Sequence, residues 1–300
     1  MEYRQQGNIA FQLLVKSQCQ EPKVDLAEML KYPLTPVPYS IGTADGFLAK
    51  NEKSKGFKYL MKDTDMATPP PQDQTLLVIE DGNALFHSMT DIPKNFSGIC
   101  DKLFNMMPHN VDVIFSTDMY KKGSVKAMER VRRGGAEKLL LQGGNTKRPA
   151  DWKAFLTNDE NKQQLVQVML DTWNKDEYAA RLQHREIILI SEEKAYRFTS
   201  EDGKATIRTP LEVLNSSQEE TDTRVIFYTL YGKEMGYKNI KVKTPDSDIF
   251  FILLSYISRF DGVSVLFEIG SGNKKKLLDI SEIGNAYTQQ HREALLGLHA

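Results

Sequence analysis

Carboxylates recur where apolar runs stop or helices begin, in Ile79-Glu80-Asp81-Gly82-Asn83, Phe115-Ser116-Thr117-Asp118, Glu220-Thr221-Asp222 and Asp246-Ser247-Asp248. Side chains of this type can hold hard divalent cations. Two such ions roughly 3.5–4 Å apart hydrolyse a phosphodiester, one activating water and the other steadying the leaving oxygen, with no side-chain nucleophile needed. Oxygen donors suit magnesium or manganese, and magnesium keeps several waters, so few direct protein contacts suffice. The candidate ligands are Asp81, Asp118, Glu220, Asp222, Asp246 and Asp248. Asp81 and Asp246 lead the set because each follows a strand-like run. Carboxylates crowded into one crevice raise one another's pKa and cost stability unless cations or protons neutralise them. Glu80 and Glu219 fall out of step with their neighbours, and Glu80 is expected to face the other side of its strand.

Each acid also has a plainer reading. Ser217-Gln218-Glu219-Glu220 fits a capping box, and Glu220 stands four residues before Arg224, a spacing that favours an ion pair on a helix. Asp81 precedes Gly82-Asn83 and could be a turn former, as could Asp118 in its polar loop. Asp246 follows Pro245 and could cap the next helix. Between Lys121 and Arg133 the chain carries six basic residues against one acid, Glu129. Lys126, Arg130 and Arg133 fall on one helical face, and with Lys122 and Arg132 they could track phosphates; a solvated basic face is the alternative. The histidines show no ligand spacing, and no glycine turn has the pattern of a phosphate loop.

The elements that must position these groups alternate between strand and helix patterns. Leu76-Leu77-Val78-Ile79, Val111 to Phe115, Glu186 to Ile190, Ile240 to Lys243 and Val263 to Phe267 read as strands. Helical spacing appears over 96–104, 124–133, 152–172, from near Gln218 to before Gly236, and to about Arg259. Glu201-Asp202-Gly203-Lys204 marks a hairpin. The fold class expected is α/β, a mainly parallel central sheet with flanking helices in a Rossmann-like three-layer arrangement. Ligands then bind beyond the carboxyl ends of the strands, where the acids stand. Residues 1–73, punctuated by prolines and ending in Thr68-Pro69-Pro70-Pro71, read as an appendage and stiff linker, and 74–300 as the main domain. With 300 residues and 40% hydrophobic content the chain can bury one sizeable core. A net charge of −1, from 39 basic and 40 acidic residues, gives no whole-molecule attraction to nucleic acid, so any such attraction is local. Two cysteines without paired spacing, no signal segment and no membrane span lead to the expectation of an intracellular protein, nuclear or cytoplasmic.

The stretch from Ser216-Ser217-Gln218-Glu219-Glu220-Thr221-Asp222-Thr223-Arg224 to Thr244-Pro245-Asp246-Ser247-Asp248-Ile249-Phe250 resembles the internal core of the flap-endonuclease and excision-repair nuclease branch of the PIN-like superfamily. That branch carries an acidic motif opening a helix, a strand, then an Asp-x-Asp pair before an apolar helix. Through Tyr32-Pro33-Leu34-Thr35-Pro36-Val37-Pro38-Tyr39-Ser40, Asp45-Gly46 and Thr117-Asp118-Met119-Tyr120, the whole chain also resembles uncharacterised animal PIN-like proteins. The resemblance spans about 75–300 and implies a PIN-like fold and a magnesium- or manganese-dependent nuclease, a hydrolase of ester bonds, acting on DNA more than RNA. It places Lys126 and Arg133 or Arg132 at the scissile phosphate. It also implies a further acidic segment beyond Ala300, so that the domain is expected to be truncated at its C-terminus. The alternative is a catalytically silent PIN-like module that binds nucleic acid or protein. A phosphohydrolase of the HAD type ranks last, because it needs Asp-x-Asp at the first strand and position 83 is Asn83.

Overall fold

The computed structural model describes residues 11–12, 14–19, 25–29, 31, 53–72, 74–120, 136–270 and 272–299. The chain divides into two compact units, Met1–Lys55 and Gly56–Ala300. In the first, Leu26–Met29 forms a helical turn whose leading N–H groups, on Ala27 and Glu28, donate to the Asp25 carboxylate. The larger unit is α/β. Among the described residues its strands are β1 (Leu76–Asp81), β2 (Asp112–Ser116), β3 (Ile187–Ser191), β4 (Lys194–Glu201), β5 (Ala205–Pro210), β6 (Asn239–Lys243), β7 (Ser264–Ile269) and β8 (Lys276–Asp279). They form one mixed sheet in the order β5-β4-β3-β2-β1-β6-β7-β8. The run β3-β2-β1-β6-β7 is parallel, and antiparallel pairs finish both sides.

Alternation along the strands builds two cores, because successive side chains leave opposite faces. Leu77, Ile79, Ile114, Ile188, Ile240, Val242 and Phe267 join helices Thr221–Glu234 and Ser247–Tyr256. Phe57 and Met61 are buried in this same cluster, so residues preceding the Pro-rich stretch contribute to the core of the larger unit. Val78, Val113, Phe115, Ile187 and Leu189 face the other way and meet helices Phe96–Met106 and Asp159–Trp173. Here Trp173 is fully buried among Phe104, Phe115 and Phe198, with ring centroids 5.6, 5.8 and 6.3 Å away, and its indole N–H donates to the Cys100 carbonyl. Three layers result. On β6 the alternation changes character: Ile240 and Val242 enter a core, while Lys241 and Lys243 leave the opposite face, opposite Val78 and Glu80.

Two elements depart from the sequence pattern. The single helix expected over 152–172 is two, Trp152–Thr157 and Asp159–Trp173, because Asn158 adopts an extended backbone (ψ 122°) and its side chain caps the second helix through the Asn161 N–H. The helix expected from near Gln218 begins at Thr221, and the Glu220 side chain makes no cap hydrogen bond to it. The Asp202-Gly203 hairpin is present, both residues having positive φ (51° and 71°), as a primed turn requires. The helix expected over 124–133 lies outside the described residues.

Arg224, expected to pair with Glu220, does other work. Its guanidinium is fully buried and donates to four carbonyls, those of Gln218 (2.7 Å), Glu192 (2.9 Å), Ser216 (3.2 Å) and Thr117 (3.4 Å). One cation thus joins the end of β2, the β3–β4 turn and the approach to the Thr221–Glu234 helix. Arg224→Met keeps the apolar stem and strands those acceptors, each worth about 1–3 kcal/mol when buried without a donor. Urea denaturation is expected to show a loss of about 3 kcal/mol or more; a loss under about 1 kcal/mol would remove Arg224 from this role.

Candidate functional site

Strand progression reverses at β1: β2 and β3 lie on one side of it, and β6 and β7 on the other. In open α/β sheets the crevice beyond the carboxyl ends at such a reversal is where ligands bind. Asp81 is the last residue of β1, and Asp246 follows β6 across the same gap.

Both acids cap helices. Asp81 Oδ1 accepts the Ala84 N–H (3.0 Å) and opens helix Gly82–Ser88, and Asp246 Oδ1 accepts the Asp248 N–H (2.8 Å) and opens Ser247–Tyr256. Capping is therefore not a rival to a ligand role, since it uses one oxygen and fixes where the other stands. A single hydroxyl couples the two acids: Thr244 Oγ1 donates to Asp81 Oδ2 (2.9 Å) and accepts from the Asp246 N–H (3.2 Å).

Asp118 is held by a third helix. Its Oδ1 accepts the N–H of Thr221 (3.0 Å), the first residue of Thr221–Glu234, so it supplies across space the cap that Glu220 does not. That orphan N–H at a helix start needs such an acceptor. The Ser116 and Thr221 hydroxyls meet at 3.2 Å, the Met119 N–H donates to the Glu219 carbonyl at 2.8 Å, and the Tyr120 hydroxyl donates to Asn83 Oδ1 at 3.3 Å. The Asp118 loop is thereby tied to the Gly82 helix on one side and the Thr221 helix on the other. Gly82 matters through space rather than through a turn: a Cβ there would stand 2.3 Å from the Phe115 ring and 2.8 Å from the Ser116 carbonyl oxygen. Only glycine lets the β1 and β2 ends approach this closely.

Electrostatics follow from the packing. Burial raises the Asp81 pKa above the usual aspartate range, the Ala84 and Thr244 donors oppose the rise, and the charges of Asp118 and Asp246 add to it. The structure thus brings Asp81, Asp118 and Asp246 into one electrostatic neighbourhood. Glu220, Asp222 and Asp248 stand beside them at the starts of the Thr221–Glu234 and Ser247–Tyr256 helices, where a negative charge also suits the helix dipole. Among the described residues no three His, Cys, Asp or Glu side chains are grouped closely enough to hold one ion. Glu80, on the opposite face, is buried and bound by Lys243 Nζ at 2.8 and 3.1 Å. The basic residues Lys122, Lys126, Arg130, Arg132 and Arg133 lie outside the described residues.

Several contributors were not legible as such from the sequence. The Thr244 hydroxyl holds Asp81 and the Thr221 N–H holds Asp118, while the Ser116 hydroxyl meets that of Thr221, and the available signal was a Ser or Thr within two residues of each acidic motif. Among the described residues no helix is long and apolar enough to cross a membrane. Cys19 and Cys100 are both free, and burial pushes the Cys100 thiol up to about 12.

A donor set made only of oxygen, with one carboxyl already disfavoured in its charged form, fits a hard divalent cation. Compared with known proteins, the chain matches no protein-family model, and the search of curated proteins found no match.

The raised pKa of Asp81 has a stability consequence. The folded chain holds this proton more tightly than the unfolded chain, so without a cation stability increases as pH falls from the folded midpoint towards the unfolded value of about 4. At neutral pH Asp81→Asn is expected to raise the melting midpoint by a few degrees, and magnesium or manganese to stabilise the parent more than the variant. A variant that melts lower than the parent in metal-free buffer would contradict this.

Proposed function

We propose that the protein is a magnesium- or manganese-dependent nuclease that hydrolyses phosphodiester bonds in DNA or structured nucleic acid. The observation that carries the reading is Asp81: a half-buried carboxylate at the β1/β6 reversal, coupled in charge to Asp118 and Asp246. Keeping three like charges together costs free energy, and binding a cation is the function that offsets it. As no three of these donors are grouped closely enough to ligate one ion directly, Asp81, Asp118 and Asp246 would hold the metal partly through its bound waters, with Glu220, Asp222 and Asp248 at the adjoining helix starts. When bound, the ions supply an activated water and neutralise charge on the leaving oxygen.

The remaining work belongs to the chain. Thr244 fixes the Asp81 carboxylate and sets its distance from Asp246, while the Thr221 N–H holds Asp118 and the Ser116 hydroxyl ties Thr221 to the end of β2. Lys126 and Arg133 or Arg132 would contact the scissile phosphate, as the resemblance to flap-endonuclease relatives implies, and Lys122 and Arg130 from the same basic run would track neighbouring phosphates.

A second reading, a PIN-like module that binds nucleic acid or protein without turnover, draws on the absence of a three-donor group among the described residues. Metal-dependent cleavage of single-stranded and branched DNA separates the two. Turnover is expected with magnesium or manganese, with losses of about 100-fold or more in Asp81→Asn and Asp246→Ala, the scale typical of removing a group that stabilises the transition state. Because protons and cations compete for Asp81, activity should fall as the solution is acidified, and the midpoint should move to lower pH as the metal concentration is raised. Salt-sensitive binding without cleavage under all these conditions would favour the silent module, and full activity in Asp246→Ala would remove that residue from the ligand set.

A further inference from the structure

From residue 53 to 62 the chain reads Lys53-Ser54-Lys55-Gly56-Phe57-Lys58-Tyr59-Leu60-Met61-Lys62, four lysines without an acid. The fold sorts its two kinds of side chain. Helix Lys53–Leu60 and the 3-10 turn Met61–Asp63 bury Phe57 and Met61 in the core on the Ile79 face of the sheet, while Lys58, Tyr59 and Lys62 stay exposed. Lys58 and Lys62, four residues apart, share one side. Tyr59 is 79% exposed, so packing does not account for it.

The buried side fixes where this face lies. The Phe57 ring meets Phe250 edge-on at 5.0 Å and Phe267 at 6.4 Å. Phe250 belongs to the helix capped by Asp246, one turn along, a rise of about 6 Å. Phe267 stands two residues before the carboxyl end of β7. The Ala67 N–H donates to the Leu277 carbonyl at 2.9 Å, which ties the same segment to β8. Leu278 enters the core that holds Phe57, so Lys276, two residues earlier on the strand, leaves the same sheet face; it is exposed and pairs with Ile269, the last residue of β7. Lys276 and the Phe57 helix thus stand on the flank of the sheet next to Asp246. Among the described residues Lys58, Lys62 and Lys276 have no ion-pair partner, and Asp65 is the exposed acid that follows Lys62.

Exposed lysines held on a fixed support suit a chain of phosphates. Lysines neutralise it and a tyrosine hydroxyl donates to its oxygens, with no reading of sequence. An anionic membrane also presents phosphates, but a helix that lies in a bilayer boundary does so by its apolar side. Here that side is already occupied by the core.

We propose that Lys58, Tyr59, Lys62 and Lys276 hold the phosphate backbone of a nucleic-acid strand where it leaves the Asp246 side of the acidic edge, so that the segment before the Pro-rich stretch is part of the substrate-binding surface. The inference rests on the reading of that edge as a phosphodiester site.

Fluorescence anisotropy over a salt series measures binding of single strands of increasing length, from roughly 4 nucleotides upward, to the full chain with Asp81→Asn to prevent cutting. The same chain carrying Lys58→Gln, Lys62→Gln and Lys276→Gln is compared with it. Each phosphate contact contributes about 0.7 to the slope of log K against log salt for a single strand. The triple variant is expected to lower that slope by about 2 and to weaken long strands roughly tenfold or more, whatever their sequence, with its melting midpoint and its affinity for the shortest strand unchanged. Where the triple variant misfolds, Lys58→Gln alone should lower the slope by about 0.7. Equal slopes, or no binding of any strand by the parent, would overturn the surface. Loss of binding to phosphatidylserine vesicles in the variant, with strand affinity intact, would overturn it in favour of a membrane. Equal slopes in a protein whose native Asp81 form cleaves DNA would reject the surface and leave the nuclease standing. A lowered slope in a protein that cuts nothing would support the surface and reject the nuclease.

Discussion

Three acids are pinned by the starts of three helices. Asp81 accepts from Ala84, Asp246 from Asp248 and Asp118 from Thr221, in each case through Oδ1. A helix start has backbone N–H groups with no intrahelical partner, and a capping acceptor is worth about 0.5–2 kcal/mol. None of the three carboxylates can therefore swing away from the others without exposing a helix to that loss. Repulsion among them is opposed by caps, and the Asp81 pKa rises chiefly because burial desolvates its carboxylate, the charges of Asp118 and Asp246 adding to the rise.

Farther out, the same loops are fixed by contacts that carry no chemistry of their own. Arg224 gathers the carbonyls of Thr117, Glu192, Ser216 and Gln218, which sets the approach to Thr221 and the loop that delivers Asp118. Gly82 removes a side chain that would otherwise push β2 away from the start of its helix. The opposite sheet face uses charge differently: Glu80, Lys243, Glu268 and Lys241 neutralise one another across β1, β6 and β7. Acids on one face are thus paired with lysines, while Asp81, Asp246 and Asp118 on the carboxyl edge are held by backbone N–H groups at helix starts. Their separation follows from the two-residue period of the strand, which sends Glu80 and Asp81 to different surroundings.

Much of this was legible because the patterns are local. The apolar runs beginning at Leu76, Val111, Glu186, Ile240 and Val263 are strands within a residue or two of the expected bounds, since burial on both faces leaves a continuous apolar signature. Asp202-Gly203 specified its hairpin for the same reason, as its turn needs positive φ at both residues. What escaped was non-local. The capping pattern at Ser217 pointed to a helix start that is not used, because Asp118, more than 100 residues earlier, supplies the acceptor at Thr221. Asn158 broke one helix into two through a hydrogen bond to Ala136, a contact that no periodicity encodes. The turn and cap readings of Asp81 and Asp246 were half of the answer, since capping is how the fold aims them.

The closeness of Asp81 to Asp118 and Asp246 is the central geometric requirement of the site. Side-chain carboxyl NMR of the metal-free protein, followed as a function of pH, reads it without any assumption about substrate. The titration midpoint of Asp81 should lie above the ordinary aspartate value and should fall when Asp118 or Asp246 is replaced by asparagine, because each replacement removes a repelling charge. An Asp81 midpoint that stays in place in both variants would mean that the acids do not share a site, and the functional reading would go with them.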